Sequence, residues 1–398
     1  MRPPLWGRLL RLIAAGIDRP VPPSSTFQPR DSPMSDDVST VRVNLAERSY
    51  DIRIGRGVLA DAVAFATERA AVAHLAVITD SNVDGLYGDA MADRFVEAGI
   101  ETQVLVVDAG EMSKSSEVAV SLWETMLDEG CDRQSVVMAV GGGVIGDLAG
   151  FVAATYTRGL TFFQTPTTLL AQVDSSVGGK VGINLEGGKN LVGAFWQPHG
   201  VLIDTDVLGT LPDREYRAGL AEVVKYGVIL DADFFAYLEA HADAINARDA
   251  SVLRQIIERS CRLKADVVEA DEREITGRRA VLNYGHTFGH ALEAATGYER
   301  LLHGEAVAIG MACASRLAEQ MGRIDASVTT RQLALMERLG LDTQTPEDLD
   351  PDELVQLMYR DKKVHDGELR FVLPTRIGEV EMVAGPSDEA LVIASIRG

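Results

Sequence analysis

Three of the seven histidines in this chain of 398 residues fall within one window of 18 residues. His286 and His290 are four residues apart, so their side chains share one face of a helix. His303 follows a short break, at the head of a second apolar helix. Two histidines with one carboxylate would form a divalent metal site with positions open for a substrate. Histidines that cap a helix or pack in a core are the alternative.

The carboxylate of such a site is expected on another helix. Glu222 lies among Leu220, Val223 and Val224, and a buried carboxylate is costly unless it is paired or ligated. Lys225 stands three residues further on, so a Glu222–Lys225 ion pair is the other explanation. The histidine pair lacks the glutamate of the HExxH signature, which excludes that class of metalloprotease.

A glycine-rich loop indicates a second kind of chemistry. Residues 141–147, GGGVIGD, satisfy the GxGxxG pattern directly after a predicted strand and before a predicted helix. Glycines let the backbone approach a pyrophosphate, and the helix N-terminus offers free N–H donors. We expect a nucleotide-binding loop in the third strand–helix unit, not in the first as in an ordinary Rossmann fold. Asp80, after the first buried strand, could bind a ribose or cap a helix.

Two further polar regions carry lysine or glycine. They are residues 165–180 and residues 187–190. The net charge is −21, from 38 Lys and Arg against 59 Asp and Glu, so the chain as a whole repels nucleic acid. Basic, glycine-bearing loops in so acidic a protein predict a local pocket for a small anionic substrate.

The first half of the chain alternates between strand and helix patterns. Residues 40–54 alternate apolar and polar side chains, which predicts two short strands joined by a turn. Further strands are predicted at 75–79, 102–107 and 135–140, and helices at 88–97, 115–129 and 144–154. This alternation is typical of an α/β domain with a mostly parallel sheet covered on both faces.

The pattern changes near Pro212. Apolar residues then recur at helical spacing, and strand signals nearly vanish until a late hairpin near residues 369–373. We therefore predict an α/β domain over residues 39–210 and an all-α, metal- and substrate-binding domain over 211–398. Residues 1–38 are predicted to be a disordered extension, either a targeting peptide or, as we favour, the product of an upstream start codon.

The three cysteines, Cys131, Cys261 and Cys313, are far apart and match no CxxC pattern. A reducing compartment, the cytoplasm, is the simplest interpretation. No apolar run reaches the length of about 18 residues that spans a membrane.

Together these motifs resemble the 3-dehydroquinate synthase family of sugar-phosphate cyclases. The resemblance runs from residue 41 to the end, in the family's order, and rests on GGGVIGD, PTTLLAQVDSSVGGK, GLAEVVKYG, LNYGHTFGHALE and HGEAV. It implies a Rossmann-like NAD-binding α/β domain, a helical C-terminal domain, a site in the cleft between them, and a homodimer.

The resemblance also implies a role for individual residues. Metal ligation falls on Glu222, His286 and His303, with zinc favoured and cobalt possible, while His290 moves from the metal to the substrate. The implied NAD contacts are Asp80, Asn82, Glu111, Lys114, Gly142, Gly143, Val144, Gly146, Asp147, Thr167, Thr168, Lys180, Lys189 and Thr210. Ala109 replaces an aspartate of many relatives, and we expect only a minor change at the nicotinamide side.

A second implied set surrounds the substrate. The catalytic residues would be Lys180, Lys225, Asn283, His290 and Asp174, with Arg158 donated by the partner subunit. Lys264 and Arg279 would hold the substrate carboxylate, and Asp174 and Lys225 would face the hydroxyls near the metal. The phosphate pocket would comprise Lys180, Asn190, Asn283, His290 and Lys363.

The implied reaction turns 3-deoxy-D-arabino-heptulosonate 7-phosphate into 3-dehydroquinate and phosphate. It proceeds by transient oxidation at C5 by NAD, phosphate elimination, re-reduction and intramolecular aldol closure, and the net outcome is that of a carbon–oxygen lyase. This step belongs to the shikimate pathway of chorismate and aromatic amino acid biosynthesis.

Three alternatives remain open. A sedoheptulose 7-phosphate cyclase would need no carboxylate pair, so the presence of Lys264 and Arg279 counts against it. A metal-dependent polyol dehydrogenase would need no phosphate pocket. An inactive binding protein would not keep every motif position intact.

Overall fold

The computed structural model describes residues 38–360, 369–386 and 388–398. The predicted N-terminal extension therefore lies outside the described residues, apart from Val38. Lys363, expected at the substrate phosphate, also lies outside them.

Seven strands form one mixed sheet in the order β1-β2-β9-β6-β5-β3-β4. β1 and β2 form an antiparallel hairpin, and the other neighbours in the sheet run parallel. The predicted strands and the mostly parallel sheet are thus confirmed. The strand bounds are β1 Val38–Val43, β2 Tyr50–Gly55, β3 His74–Asp80, β4 Glu101–Val107, β5 Val136–Gly141, β6 Thr161–Pro166 and β9 Gly200–Asp204.

Helices cover both faces of this sheet. Ala76 and Ile78 of β3 pack in one apolar cluster, while Leu75 and Val77 pack in another. Side chains of a strand point to alternate faces, so a central strand that is buried on both sides reads as a continuous apolar run. The helices of this half are α1 Ala62–Thr67, α2 Asp89–Glu97, α3 Ser116–Asp128 and α4 Gly143–Thr155.

A second, two-stranded sheet corrects one expectation from the sequence. Residues 187–190 were expected in a loop, but β8 (Gly188–Phe195) begins there and pairs antiparallel with β7 (Lys180–Leu185). A Cβ on Gly182 would lie 2.6 Å from the carbonyl oxygen of Val192. Gly182 therefore permits close approach of the two strands, whereas Gly187 lies in the short turn that joins them.

The remainder of the described chain is helical, with one late hairpin as predicted. Its core is continuous with the sheet, because Val41, Ile52 and Ile203 join the same apolar cluster as Leu220 and Leu253. The bounds are α5 Asp213–Leu230, α6 Ala232–Asn246, α7 Ala250–Ala270, α8 His286–Ala295, α9 His303–Gln320, α10 Ala326–Arg338, α11 Pro351–Arg360, β10 Arg370–Arg376, β11 Glu379–Ala384 and α12 Glu389–Arg397. Among the described residues, no helix is long and apolar enough to cross a membrane.

Two glycines of α9 set how closely the site-bearing helices pack. A Cβ on Gly304 would collide with the backbone carbonyl of Ala218 on α5. A Cβ on Gly310 would meet the carbonyl of Gly285 and lie 2.9 Å from the amide nitrogen of Gly289. Each contact is to backbone, which cannot swing away, so only glycine allows α9 to lie against both α5 and α8.

We expect Gly304→Ala to lower the free energy of unfolding by about 3 kcal/mol, at the upper end of overpacking costs. Urea unfolding monitored by circular dichroism measures the change. Gly85→Ala is the matched control, because no atom lies within 4 Å of a Cβ there; its effect should stay within about 0.5 kcal/mol. Equal stability of the two variants would contradict this packing account.

Candidate active site

Glu222, His286 and His303 come together from three different helices. One ligand atom from each lies within 4.8 Å of the other two, and this is the one group of His, Cys, Asp and Glu side chains among the described residues with the spacing to hold a metal ion. Glu222 Oε1 lies 3.9 Å from His286 Nε2 and 4.0 Å from His303 Nε2. Two ligands that each bind one zinc ion at about 2.0–2.2 Å cannot be more than about 4.4 Å apart, so both distances fit a shared ion.

The surroundings of Glu222 also fit a metal. Its side chain is 1% exposed, and Oε1 accepts no hydrogen bond from the described residues. Lys225 Nζ forms an ion pair with Oε2, so the ion pair anticipated as an alternative is present. Oε1 faces the two imidazoles instead. A buried carboxylate oxygen without a hydrogen bond is costly, and a divalent cation beside Oε1 would remove that cost.

Two carboxylates hold His303 in place at the start of α9. Glu305 Oε2 accepts a hydrogen bond of 2.8 Å from the amide of Leu302, and Arg214 binds both oxygens of Glu305. Glu293 Oε2 lies 3.5 Å from His303 Nδ1. An acceptor at Nδ1 leaves Nε2 with the lone pair that a metal needs.

The charge of Glu293 is itself well defined. Burial favours the protonated acid, but the hydrogen bond with His303 and the charge of Lys189 lower the pKa of Glu293 to about 2. Glu293 is therefore a carboxylate at neutral pH.

The glycine loop begins a long helix that no side chain caps. Gly142 stands at the N-cap of α4 and makes no side-chain cap bond, so the first N–H groups of the helix remain available. A Cβ on Gly146 would lie 2.9 Å from Gln164 Oε1, and Cβ atoms on Gly142 and Gly143 would lie 3.1 Å from Thr168 and Ser175. These three positions therefore favour glycine.

Unpaired hydroxyls surround the same loop. The side-chain oxygens of Thr165, Thr167 and Ser175 are buried and have no hydrogen-bond partner. The amide of Thr167 donates to the carbonyl of Gly141, which places Thr167 directly beside the loop. A dinucleotide offers phosphate and hydroxyl groups that could satisfy these atoms.

Lys114 joins the cofactor residues to the substrate residues. Its buried ammonium lies 2.5 Å from Asp147 Oδ2 and also binds Asn190 Oδ1. Burial raises the pKa of Asp147 above its ordinary value, and the Lys114 charge offsets part of that effect. The backbone N–H of Asn190 also donates to Asn184 Oδ1, and the side-chain Nδ2 of Asn184 donates to Glu111 Oε1. Five predicted or neighbouring site residues thus form one polar network.

The other expected NAD contacts lie along the same edge of the sheet. Asp80 Oδ1 accepts hydrogen bonds from the amides of Asn82 and Val83, so the capping role anticipated as its alternative is present. Thr210 Oγ1 lies 2.7 Å from the hydroxyl of Tyr87.

Asp174, which is partly exposed, and the buried Lys264 form an ion pair between the two halves. Lys264 Nζ lies 2.8 Å from Asp174 Oδ1 and 2.7 Å from the Asp174 carbonyl oxygen. Tyr226 donates a hydrogen bond of 2.6 Å to Asp174 Oδ1. Although burial opposes ionisation, Lys264 and Lys225 hold the pKa of Asp174 well below its usual range. Burial lowers the pKa of Lys264, and Asp174 opposes this effect.

Arg279 and Lys180 both lie next to the carboxylate of Glu274. Glu274 Oε1 pairs with Lys180 Nζ and lies 3.4 Å from Arg279 Nε. Arg279 is 3% exposed, and a Cβ on Gly178 would lie 3.1 Å from its guanidinium. The two cations expected to bind anionic groups of the substrate therefore meet at one carboxylate.

Of the remaining expected site residues, His290 and Asn283 lie near the metal group and Arg158 does not. His290 packs its ring edge-on against His286, at 5.6 Å between centroids, and Asn283 ends the short helical turn Arg278–Asn283 just before α8. Arg158 is exposed and follows the C-terminus of α4, about 20 Å along the helix from the glycine loop. The structure does not bring Arg158 to the site of its own chain.

Sequence reasoning assigned no role to four residues in this region. Glu293, Tyr226, Glu274 and Asn184 each contact an expected site residue. The signal for Glu293 was a lone acid among Ala and Leu residues, as at Glu222. The other three gave no signal, because their contacts join segments far apart in sequence.

Similar solved structures indicate the class of protein to which the fold belongs. The chain superposes on 2-deoxy-scyllo-inosose synthase complexed with carbaglucose-6-phosphate, NAD+ and Co2+, with a TM-score of 0.83, 29% identity, and coverage of 90% of this chain and 99% of that one. It matches 2-epi-5-epi-valiolone synthase from Streptomyces hygroscopicus with NAD+ and Zn2+ bound, with a TM-score of 0.80, 31% identity, and coverage of 89% and 97%. The fold is that of the sugar-phosphate cyclases.

The sequence comparisons then give the family. Residues 104–218 match the N-terminal part of 3-dehydroquinate synthase, and residues 219–364 match its C-terminal part. The chain is 49% identical over 367 residues to the 3-dehydroquinate synthase of Rhodopirellula baltica, with 91% of this chain and 98% of that protein covered. The chain therefore belongs to the 3-dehydroquinate synthase family, as the motifs indicated.

The metal centre makes a direct prediction. Zn2+ or Co2+ at 100 times its Kd should raise the free energy of unfolding by about 2.7 kcal/mol, and His286→Ala should abolish most of this gain. Thermal unfolding of metal-free protein with and without added metal measures it. His241→Ala, a histidine of α6 outside the group, is the control and should keep the gain. The ligand set is wrong if His286→Ala responds to metal like the unmodified chain.

Proposed function

We propose that this chain is a 3-dehydroquinate synthase. It would convert 3-deoxy-D-arabino-heptulosonate 7-phosphate into 3-dehydroquinate and inorganic phosphate. The carrying observation is the group formed by Glu222, His286 and His303, in which His303 lies against Glu293, the partner of the expected NAD contact Lys189. Membership of the family, with relatives of that name matched along nearly their whole length, supports the proposal.

The cofactors would be NAD and one divalent metal, zinc or cobalt. When bound, NAD would supply a hydride acceptor and later a hydride donor for C5 of the substrate, and the metal would supply a Lewis acid for adjacent hydroxyls. Glu222, His286 and His303 would hold the metal. The N-terminus of α4, with Thr167 and Lys114 beside it, would hold the NAD phosphates.

The residues around Asp174 would orient the hydroxyls of the substrate. Tyr226 and Lys264 fix the carboxylate of Asp174, and the pKa of Asp174 lies well below its usual range, so it is a permanent hydrogen-bond acceptor. Lys225, buried against Glu222, would place a positive charge beside a hydroxyl that must lose its proton. Burial of these groups excludes water from the proton path.

The anionic ends of the substrate would bind to separate cations. Arg279 with Lys264 would bind the carboxylate, and Lys180 with Asn190, Asn283 and His290 would bind the phosphate. The departing phosphate, held by His290, would accept the C6 proton in a general-base step. Glu274 would leave Lys180 and Arg279 when the substrate arrives, because both cations then gain a stronger anionic partner.

A cytoplasmic homodimer is the assembly that we propose. Arg158 is exposed and distant from the site of its own chain, and its backbone φ of 75° fixes it on a sharp turn after α4. A second copy would bring the guanidinium of Arg158 to the phosphate. This arrangement explains why a substrate-binding type of residue stands so far from the other site residues.

The test of the proposed function is release of inorganic phosphate. The protein, supplied with zinc, a catalytic amount of NAD and the heptulosonate phosphate, should release phosphate in large excess over NAD. A chelator should stop the reaction, and added metal should restore it. Absence of phosphate release, or consumption of one NAD per turnover, would rule the proposal out.

Substrate choice gives a separate prediction. Arg279→Gln should lower kcat/KM for the heptulosonate phosphate by on the order of 10- to 100-fold, because one charge-assisted bond to the carboxylate is lost. Steady-state phosphate release measures it. Arg273→Ala, an exposed neighbour, should change little. An unaffected Arg279→Gln enzyme would show that the carboxylate binds elsewhere.

A further inference from the structure

Glu293 stands between the metal group and the cofactor side of the protein. Its carboxylate is buried and lies on α8, the helix that begins with His286. Oε2 faces His303 Nδ1 at 3.5 Å, and Oε1 accepts from Lys189 Nζ at 3.2 Å. We infer that Glu293 is a positioning residue through which NAD binding strengthens metal binding, an inference that rests on the proposed function of this site.

The contact with His303 gives Glu293 its effect on the metal. A carboxylate that accepts the Nδ1 proton fixes the imidazole ring and makes Nε2 a stronger electron donor. Nε2 points to Glu222 Oε1, 4.0 Å away, where the metal would bind. Metal affinity should therefore rise as the negative charge of the Glu293 carboxylate next to Nδ1 becomes less neutralised by other cations.

The contact with Lys189 competes for that same charge. Lys189 lies on β8 in the other half of the chain, and its ammonium packs over the ring of Tyr298 at 4.7 Å. Its side chain is 28% exposed while that of Glu293 is 5% exposed, so the ammonium can reach an arriving ligand but the carboxylate cannot. Without cofactor, Lys189 neutralises part of the charge of Glu293.

Cofactor binding should shift this balance. Lys189 is an expected NAD contact, and a phosphate oxygen of NAD would draw its ammonium away from Glu293. The whole charge of the carboxylate then acts on His303, and the metal is bound more tightly. Because coupling free energies are reciprocal, the metal must tighten NAD by the same factor.

A Lys189–Glu293 ion pair that only held the two halves together would have a different effect on metal binding. It would stabilise the fold through an ion pair, and loss of either partner would weaken metal binding in the same direction. The competition described above instead predicts opposite effects, since removing Lys189 frees the charge of Glu293 and removing that charge deprives His303 of its acceptor.

The experiment measures Co2+ affinity by competition with a chelator, without NAD and at saturating NAD for each variant. In the unmodified chain NAD should tighten Co2+ by at least about fivefold, the lower end of typical couplings. Glu293→Gln should lower the Co2+ affinity by about 10- to 100-fold, and NAD should no longer raise that affinity.

Lys189→Ala has the opposite expectation. Without NAD it should bind Co2+ more tightly than the unmodified chain, and saturating NAD should raise its Co2+ affinity little further. Glu239→Gln, which loses a surface pair with Arg331, is the control and should match the unmodified chain.

Other outcomes overturn the inference. If Lys189→Ala weakens Co2+ binding as Glu293→Gln does, the bridge is only structural. If Glu293→Gln keeps the NAD effect, the coupling runs elsewhere. An unmodified chain that binds both ligands and releases phosphate, with equal Co2+ affinity at both NAD levels, refutes this inference alone. A chain that binds neither ligand refutes the proposed function as well.

Discussion

The burial of one carboxylate constrains the rest of this structure. Glu222 is 1% exposed on an apolar face of α5, and its Oε1 accepts no hydrogen bond from the described residues. Leaving such a group without a partner costs several kcal/mol. Lys225 compensates one oxygen, and the two imidazoles of His286 and His303 surround the other. The close packing of α5, α8 and α9 through glycine is what allows a single ion to meet all three side chains.

The same region holds the two halves of the chain together by charge. Lys189–Glu293, Lys180–Glu274 and Asp174–Lys264 each join the α/β half to the helical half. Each pair contains a cation expected to bind NAD or substrate. NAD and substrate would therefore compete with these internal ion pairs. In the protein without ligands, the acidic partners hold the ligand-binding lysines in defined positions.

Much of this could be predicted from the sequence, because the fold depends on periodicity and the chemistry on motifs of high specificity. The parallel sheet, the helical half and the grouping of Glu222 with two histidines agree with the structure. The hairpin of β7 and β8 was missed, since Gly182 and Gly193 serve close strand approach and look like turn residues. Contacts such as Glu293 with Lys189 join residues 104 positions apart, and no local pattern encodes them.

The central claim is that one divalent ion is bound by Glu222, His286 and His303. It is tested most directly by anomalous diffraction at the zinc edge, from crystals grown with Zn2+ and NAD. We expect a single strong peak about 2.0–2.2 Å from a carboxylate oxygen of Glu222 and from Nε2 of each histidine. A peak at another group of side chains, or no peak between these three with zinc in excess, would contradict it.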